Sequence, residues 1–261
     1  MTQSKHCRPW PELPRTAWVT GAGKGMGRAL ALRLARQGWT VHVSARTVDD
    51  LETLVAEAVG LSGTILPKPL NISDADACAN ILQEIANDGP VGLIVLNAGT
   101  HIPTPAKGFN LDAVNKLIDI NLRGTANCLA PSMQTMREQG FGKIGVVASV
   151  AGYKGLPSAA AYSATKAGTI AMCESLYPEL KAEGVSLAVI NPGFVRTPLT
   201  DKNDFPMPLL MEVDDAVSRI MNGLARNTFE IAFPTRFVLI LKFLRLLPDW
   251  LYFRMTAGMI R

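Results

Sequence analysis

Seven short apolar runs, each followed by a longer stretch with helical spacing, constrain this chain more than any other feature. The runs are TAWVT (16–20), TVHVSA (40–45), TILPKPL (64–70), VGLIVLN (91–97), KIGVVAS (143–149), VSLAVIN (185–191) and FEIAF (229–233). They are short and rich in β-branched residues, so they read as buried strands. Helical patterns fill the gaps at 25–38, about 47–59, 74–88, 110–138, 159–183 and 213–226. Thr47 with Asp50 reads as a capping box, and Ser73 as the cap of the third helix. Such alternation predicts an α/β fold with one doubly wound parallel sheet, helices on both faces and right-handed crossovers. With 48% apolar and 18% charged residues, the chain can bury such a sheet. No repeat or interdomain linker interrupts it. One domain is expected over 16–233, with a loose N-terminal arm (1–15, with three prolines) and a C-terminal apolar and basic tail (234–261).

The first strand runs into TGAGKGMG (20–27) and then a helix. Gly21, Gly25 and Gly27 let the backbone turn tightly and come close to a pyrophosphate seated at the helix N-terminus, as in Rossmann-type sheets. The second strand then ends in VSARTVDD. An acid at that point would accept from a ribose 2′-hydroxyl and favour NAD. Arg46 stands there instead, and Lys24 lies in the glycine loop. Two cations suit a 2′-phosphate, so NADP(H) is the expected cofactor. Asp49 and Asp50 fit better as first-turn acids of the next helix. NAD-dependent alcohol oxidation and cofactor sensing without turnover are the competing readings.

Tyr162 and Lys166 sit four residues apart in YSATK (162–166), so they share a helix face. Ser149 ends the fifth strand, where open α/β sheets bind ligands. A free phenol has a pKa of about 10. A nearby ammonium favours its ionised form and makes it a usable acid and base. These residues, with TGAGKGMG, LNAGT (96–100), DINLRG (119–124) and NPGFVRT (191–197), resemble the short-chain dehydrogenase/reductase family in order over about 16–233. The resemblance implies a catalytic tetrad of Asn121, Ser149, Tyr162 and Lys166. It also implies a nucleotide site formed by Gly21, Lys24, Gly25, Met26, Gly27, Arg46, Asn71, Ile72, Asn97, Ala98, Gly99, Tyr162, Lys166, Pro192, Gly193, Val195 and Thr197. Hydride would pass between the nicotinamide and a carbonyl or alcohol carbon. The resemblance further implies a homo-oligomer, a dimer or tetramer.

Two residues depart from the family pattern. Asn71 replaces the usual aspartate after the third strand but keeps an acceptor oxygen. Pro178 should kink or shorten the helix that carries Tyr162. Residues 198–212 have three prolines and little periodicity, as a substrate lid would. There Phe205, Met207, Leu209, Leu210 and Met211 either line an apolar pocket for a hydrophobic substrate or pack on the core.

The net charge of +4 resides in the tail: five cations and Asp249 lie from Pro234 onward, while the preceding 233 residues are neutral. That balance argues against nucleic-acid binding. The tail's twelve-residue apolar run (237–248) already holds Lys242 and Arg245, too little for a spanning helix. An in-plane membrane helix, a subunit contact and a pocket wall all fit it. Cys7, Cys78, Cys128 and Cys173 are far apart in sequence, so neither a metal site nor a disulfide framework is expected. Reduced thiols and the lack of an apolar leader fit a cytoplasmic protein, with peripheral membrane contact through the tail as a further option.

Overall fold

All seven apolar runs become strands of one parallel sheet. The computed structural model describes residues 7–202 and 206–259. The strands are β1 (Thr16–Thr20), β2 (Thr40–Ser44), β3 (Thr64–Pro67), β4 (Leu93–Leu96), β5 (Gly142–Val147), β6 (Val185–Pro192) and β7 (Glu230–Phe233). Their spatial order is β3-β2-β1-β4-β5-β6-β7. Val19 pairs with Val43 on one side and Val95 on the other, and Val95 pairs with Gly145. The order reverses between β1 and β4, so a crevice opens there at the carboxyl ends of the strands.

Alternation along each strand divides the core in two. Val19, Leu93, Val95, Ala188 and Ile190 face one layer, under α1 (Gly25–Arg36), α2 (Val48–Glu57) and α7 (Val213–Ala225). Trp18, Ile94, Leu96, Leu187 and Val189 face the other, under α3 (Ala75–Asn87), α5 (Gly124–Gln139) and α6 (Ala160–Ala182). Burial of each such aliphatic side chain stabilises the fold by about 1.5–3 kcal/mol before entropy is counted.

Several local expectations are corrected. The single helix expected over 110–138 is α4 (Leu111–Leu117), a π-helical segment (Ile118–Arg123) and then α5. Thr47 is the N-cap of α2 but forms no capping bond, and the Asp50 carboxylate pairs with Lys24 at 3.4 Å. Asp74, not Ser73, caps α3, its carboxylate accepting from the Ala77 N–H at 3.0 Å. Pro178 does not shorten α6, which runs on to Ala182.

The arm is not loose where it is described. Trp10 packs on Trp39 with ring centroids 5.2 Å apart, and Leu13 is buried; residues 1–6 lie outside the described residues. Cys78 and Cys128, far apart in sequence, meet in the core with sulfurs 3.5 Å apart. The tail forms α8 (Thr235–Leu246) and α9 (Asp249–Thr256), and Val238 and Leu241 of α8 join the second core layer.

Candidate active site

The crevice is built first by close packing of the glycine loop. Asn97, just after β4, donates from Nδ2 to the carbonyls of Thr20 (3.1 Å) and Gly21 (3.0 Å). The Thr20 hydroxyl accepts from the Asn97 and Ala98 N–H groups. Gly21 has φ +66°, and a β-carbon on it would lie 2.6 Å from Ala98 Cα. One on Gly27 would lie 2.5 Å from both Asn97 Nδ2 and the Gly21 oxygen. Gly25 faces Thr197, whose methyl lies 3.1 Å from where a β-carbon would stand.

The loop ends at the N-terminus of α1, which has no side-chain cap and no acid in its first turn. The first N–H groups of α1, with the Met26 side chain beside them, thus face the cleft as donors for an anion. Unpaired helix donors beside glycines that tolerate no side chain fit a dinucleotide pyrophosphate.

At the adenosine side the two expected cations differ. Lys24 is held by Asp50, whereas Arg46 is exposed just after β2 and forms no salt bridge among the described residues. The Asn71 Oδ1 accepts from the Ser73 N–H at 3.2 Å, so the acceptor counted on for adenine already serves a turn. Ile72 is buried, and its carbonyl accepts from Asn127 Nδ2 at 3.0 Å.

Across the cleft, Ser149, Tyr162 and Lys166 line one pocket with Asn97, Gly99, Pro192, Gly193, Val195 and Thr197. Ser149 Oγ accepts from the Ala151 N–H (3.1 Å) and donates to the Pro192 carbonyl (3.4 Å). Lys166 is buried and donates to the Val147 carbonyl at 2.9 Å, with its Nζ 5.8 Å from the centre of the Tyr162 ring. Burial lowers Lys166 to about 8, so at neutral pH the amine remains mostly ammonium. Burial raises the Tyr162 phenol above its ordinary value, and its hydrogen bond with Ser149 pulls the other way.

Asn121 sits in the π-helical segment and is fully buried. Its Oδ1 accepts from the Thr100 N–H (2.8 Å), and its Nδ2 donates to the Thr100 carbonyl (2.9 Å) and Thr165 Oγ1 (3.3 Å). It thereby clamps the segment after β4 to the helix of Tyr162. A β-carbon on Gly99 would lie 3.3 Å from Asn121 Oδ1 and 3.5 Å from Lys166 Nζ, so all three meet at one point. The extra turn width of a π segment re-aims a side chain in this way.

The segment after β6 closes the pocket. Gly193 donates to the Phe233 carbonyl at 2.7 Å, and Val195 forms a bridge with Met211. The Thr197 N–H donates to Thr200 Oγ1 at 2.9 Å. Of the lid residues named above, Met211 packs on the core, Leu209 is exposed, and Phe205 lies outside the described residues. Leu199 and Thr200 line the pocket instead.

Sequence reasoning missed His101, whose ring stands edge-on to Tyr162 with centroids 4.8 Å apart. Burial lowers its pKa, so its imidazole is neutral at pH 7. Only its place next to LNAGT could have drawn attention to it.

One expectation follows from this geometry. In Lys166→Met the Tyr162 ring would lose the ammonium 5.8 Å from its centre, so its phenol should titrate at higher pH than in the wild type. A pH titration of tyrosine absorbance in both proteins measures this, and coincident curves would detach the lysine from the phenol.

The chain is similar in sequence and fold to known proteins. Residues 15–206 match the family model for short chain dehydrogenases. A Myxococcus xanthus protein, described as an uncharacterized oxidoreductase, is 39% identical over 239 residues, 91% of this chain and 94% of its own. A 3-oxoacyl-[acyl-carrier-protein] reductase of Thermotoga maritima is 32% identical over 185 residues, covering 70% of this chain and 75% of that protein. The crystal structure of a 3-ketoacyl-ACP reductase from Sinorhizobium meliloti superimposes with a TM-score of 0.77 at 26% identity, over 86% of this chain and 99% of that one. By its motifs, its sheet and these relatives, the chain belongs to the short-chain dehydrogenase/reductase family of oxidoreductases.

Proposed function

We propose that the protein reduces a carbonyl, or oxidises the matching alcohol, with NADP(H), using Tyr162 as general acid and base. The observation that carries this reading is the convergence of Ser149, Tyr162 and Lys166 opposite an uncapped helix N-terminus and a glycine loop. When bound, the dinucleotide supplies or accepts the hydride.

The chain's own groups handle the oxygen and its proton. Ser149 hydrogen-bonds the substrate oxygen and fixes its position. The Tyr162 hydroxyl gives that oxygen its proton in reduction and takes it back in oxidation. The Lys166 ammonium stabilises the phenolate left behind. Asn121 holds the segment after β4 in register with α6, so that Gly99 and Lys166 keep their places. Val147, Ala148 and Leu199, lining residues outside the expected nucleotide site, suit an apolar carbonyl substrate. The names of the acyl-carrier-protein reductase relatives point to a 3-oxoacyl group as a first compound to assay.

NADP(H) rests on Arg46, since Lys24 must leave Asp50 before it can meet a phosphate. A charged hydrogen bond contributes about 1.5–3 kcal/mol when well ordered. From an exposed arginine the lower end is expected, so Arg46→Ala should weaken NADPH binding by about tenfold and leave NADH binding unchanged. Fluorescence titration with both cofactors tests this. Equal NADPH affinity in the two proteins would remove the argument for NADP(H) while leaving the oxidoreductase reading in place.

A further inference from the structure

Helices α8 and α9 turn apolar side chains toward solvent. Leu239, Ile240, Phe243 and Leu246 of α8 are exposed, Leu246 by 81%, while Val238 and Leu241 point into the core. On α9 Trp250 is 70% exposed and Phe253 62%, with Met255 also outside, while Tyr252 is buried. Half of the exposed large apolar side chains among the described residues fall between 239 and 255. Scattered single exposures are ordinary, but this concentration on two successive helices marks a contact surface.

The helices are held in place. Lys242 hydrogen-bonds Glu230 on β7, which also accepts from the Tyr153 hydroxyl at 2.7 Å. The Tyr252 hydroxyl donates to the Gly155 carbonyl at 2.6 Å, and Lys154 pairs with Asp249 at 3.1 Å. Both contacts tie α9 to the segment that follows Ser149. Phe237 of α8 packs beside Gly193 at the pocket. The outward face is therefore fixed to the elements that carry the site.

Charge identifies the occupant. Arg236 and Arg254 are exposed beside these side chains and form no salt bridge among the described residues, while Arg245, also exposed, lies on the Lys242 side of α8 near Tyr153. The acid in the same stretch, Asp249, is already paired with Lys154. The face therefore carries an excess of positive charge, which a second copy of the same face would repeat and not neutralise. An anionic lipid surface complements both features, taking the aromatic and aliphatic side chains into its headgroup boundary and the guanidinium groups against its phosphates. No described helix is long and apolar enough to cross a membrane, so contact is in the plane.

We infer that the exposed apolar and basic face of α8 and α9 docks the protein on an anionic bilayer surface. The full chain should float with phosphatidylcholine vesicles that contain phosphatidylglycerol, float far less with phosphatidylcholine alone, and be released by high salt. The double variant Arg236→Ala/Arg254→Ala should weaken that partition by about 30-fold. The variant Phe243→Ser/Trp250→Ser should weaken it as well, and circular dichroism should confirm that both variants stay folded. Absence of flotation of the wild type on phosphatidylglycerol vesicles would overturn the inference, as would flotation insensitive to both variants. Failure to float, together with a smaller particle in solution for Phe243→Ser/Trp250→Ser, would assign the face to a second copy instead.

Discussion

Tyr162→Phe should lower the rate of carbonyl reduction by about 10²–10⁴-fold, the usual contribution of a positioned acid, and leave NADPH affinity nearly unchanged. The substitution removes one oxygen and keeps the ring. The edge contact with His101 and the place of the ring beside Lys166 Nζ are both preserved. What is lost is the proton for the substrate oxygen. Ser149 cannot replace it, because a serine hydroxyl orients the oxygen without a cation to stabilise its own anion. His101 is the other titratable ring at that point, and burial keeps it neutral. Steady-state kinetics on a ketone panel, with NADPH fluorescence as a binding control, measure the effect. A variant that turns over like the wild type would end the assignment of Tyr162.

Gly21→Ala should damage both the fold and the cofactor site. The added methyl would stand 2.6 Å from Ala98 Cα and 2.8 Å from its nitrogen, which are backbone atoms pinned through Thr20. The residue also sits at φ +66°, where a β-carbon costs about 1–2 kcal/mol. Overpacking of this kind costs about 1–3 kcal/mol more. For a domain of this size each kcal/mol shifts Tm by about 2–4 °C, so a fall of roughly 4–20 °C is expected. The loop must also move from beneath α1, which removes the donors held ready for a pyrophosphate. A thermal melt and an NADPH titration check both effects, and wild-type values in either would contradict the packing argument.

Much of this was legible in the sequence because it depends on period and order. Every strand was visible, since parallel strands buried on both faces must be short, apolar and β-branched. The glycine loop was legible because close backbone approach leaves no other residue possible. The corrected features all depend on which partner a side chain finds in space. DINLRG has ordinary helical composition, and nothing in it announces a π segment around Asn121. Asp50 has the spacing of a capping-box residue, but Lys24 lies on a neighbouring loop and competes for it. The meeting of Cys78 with Cys128 arises from the packing of α3 on α5, which no local pattern encodes. Pro178 does not end α6, which has buried residues on either side of it, Cys173 before and Leu180 after. The outward apolar face of the tail could not be told from a pocket wall until the burial of Val238 and Leu241 fixed which side faces in.

In the proposed reaction a cationic environment tunes the Tyr162 hydroxyl for proton transfer. NMR titration of tyrosine labelled at Cζ, assigned with Tyr162→Phe and run with and without NADP⁺, reads that hydroxyl directly. The phenol should sit above its ordinary pKa through burial in the free protein, fall clearly once the cationic nicotinamide ring is bound, and titrate higher in Lys166→Met than in the wild type in both states. A Tyr162 titration unmoved by the oxidised cofactor, and identical in Lys166→Met, would contradict that tuning.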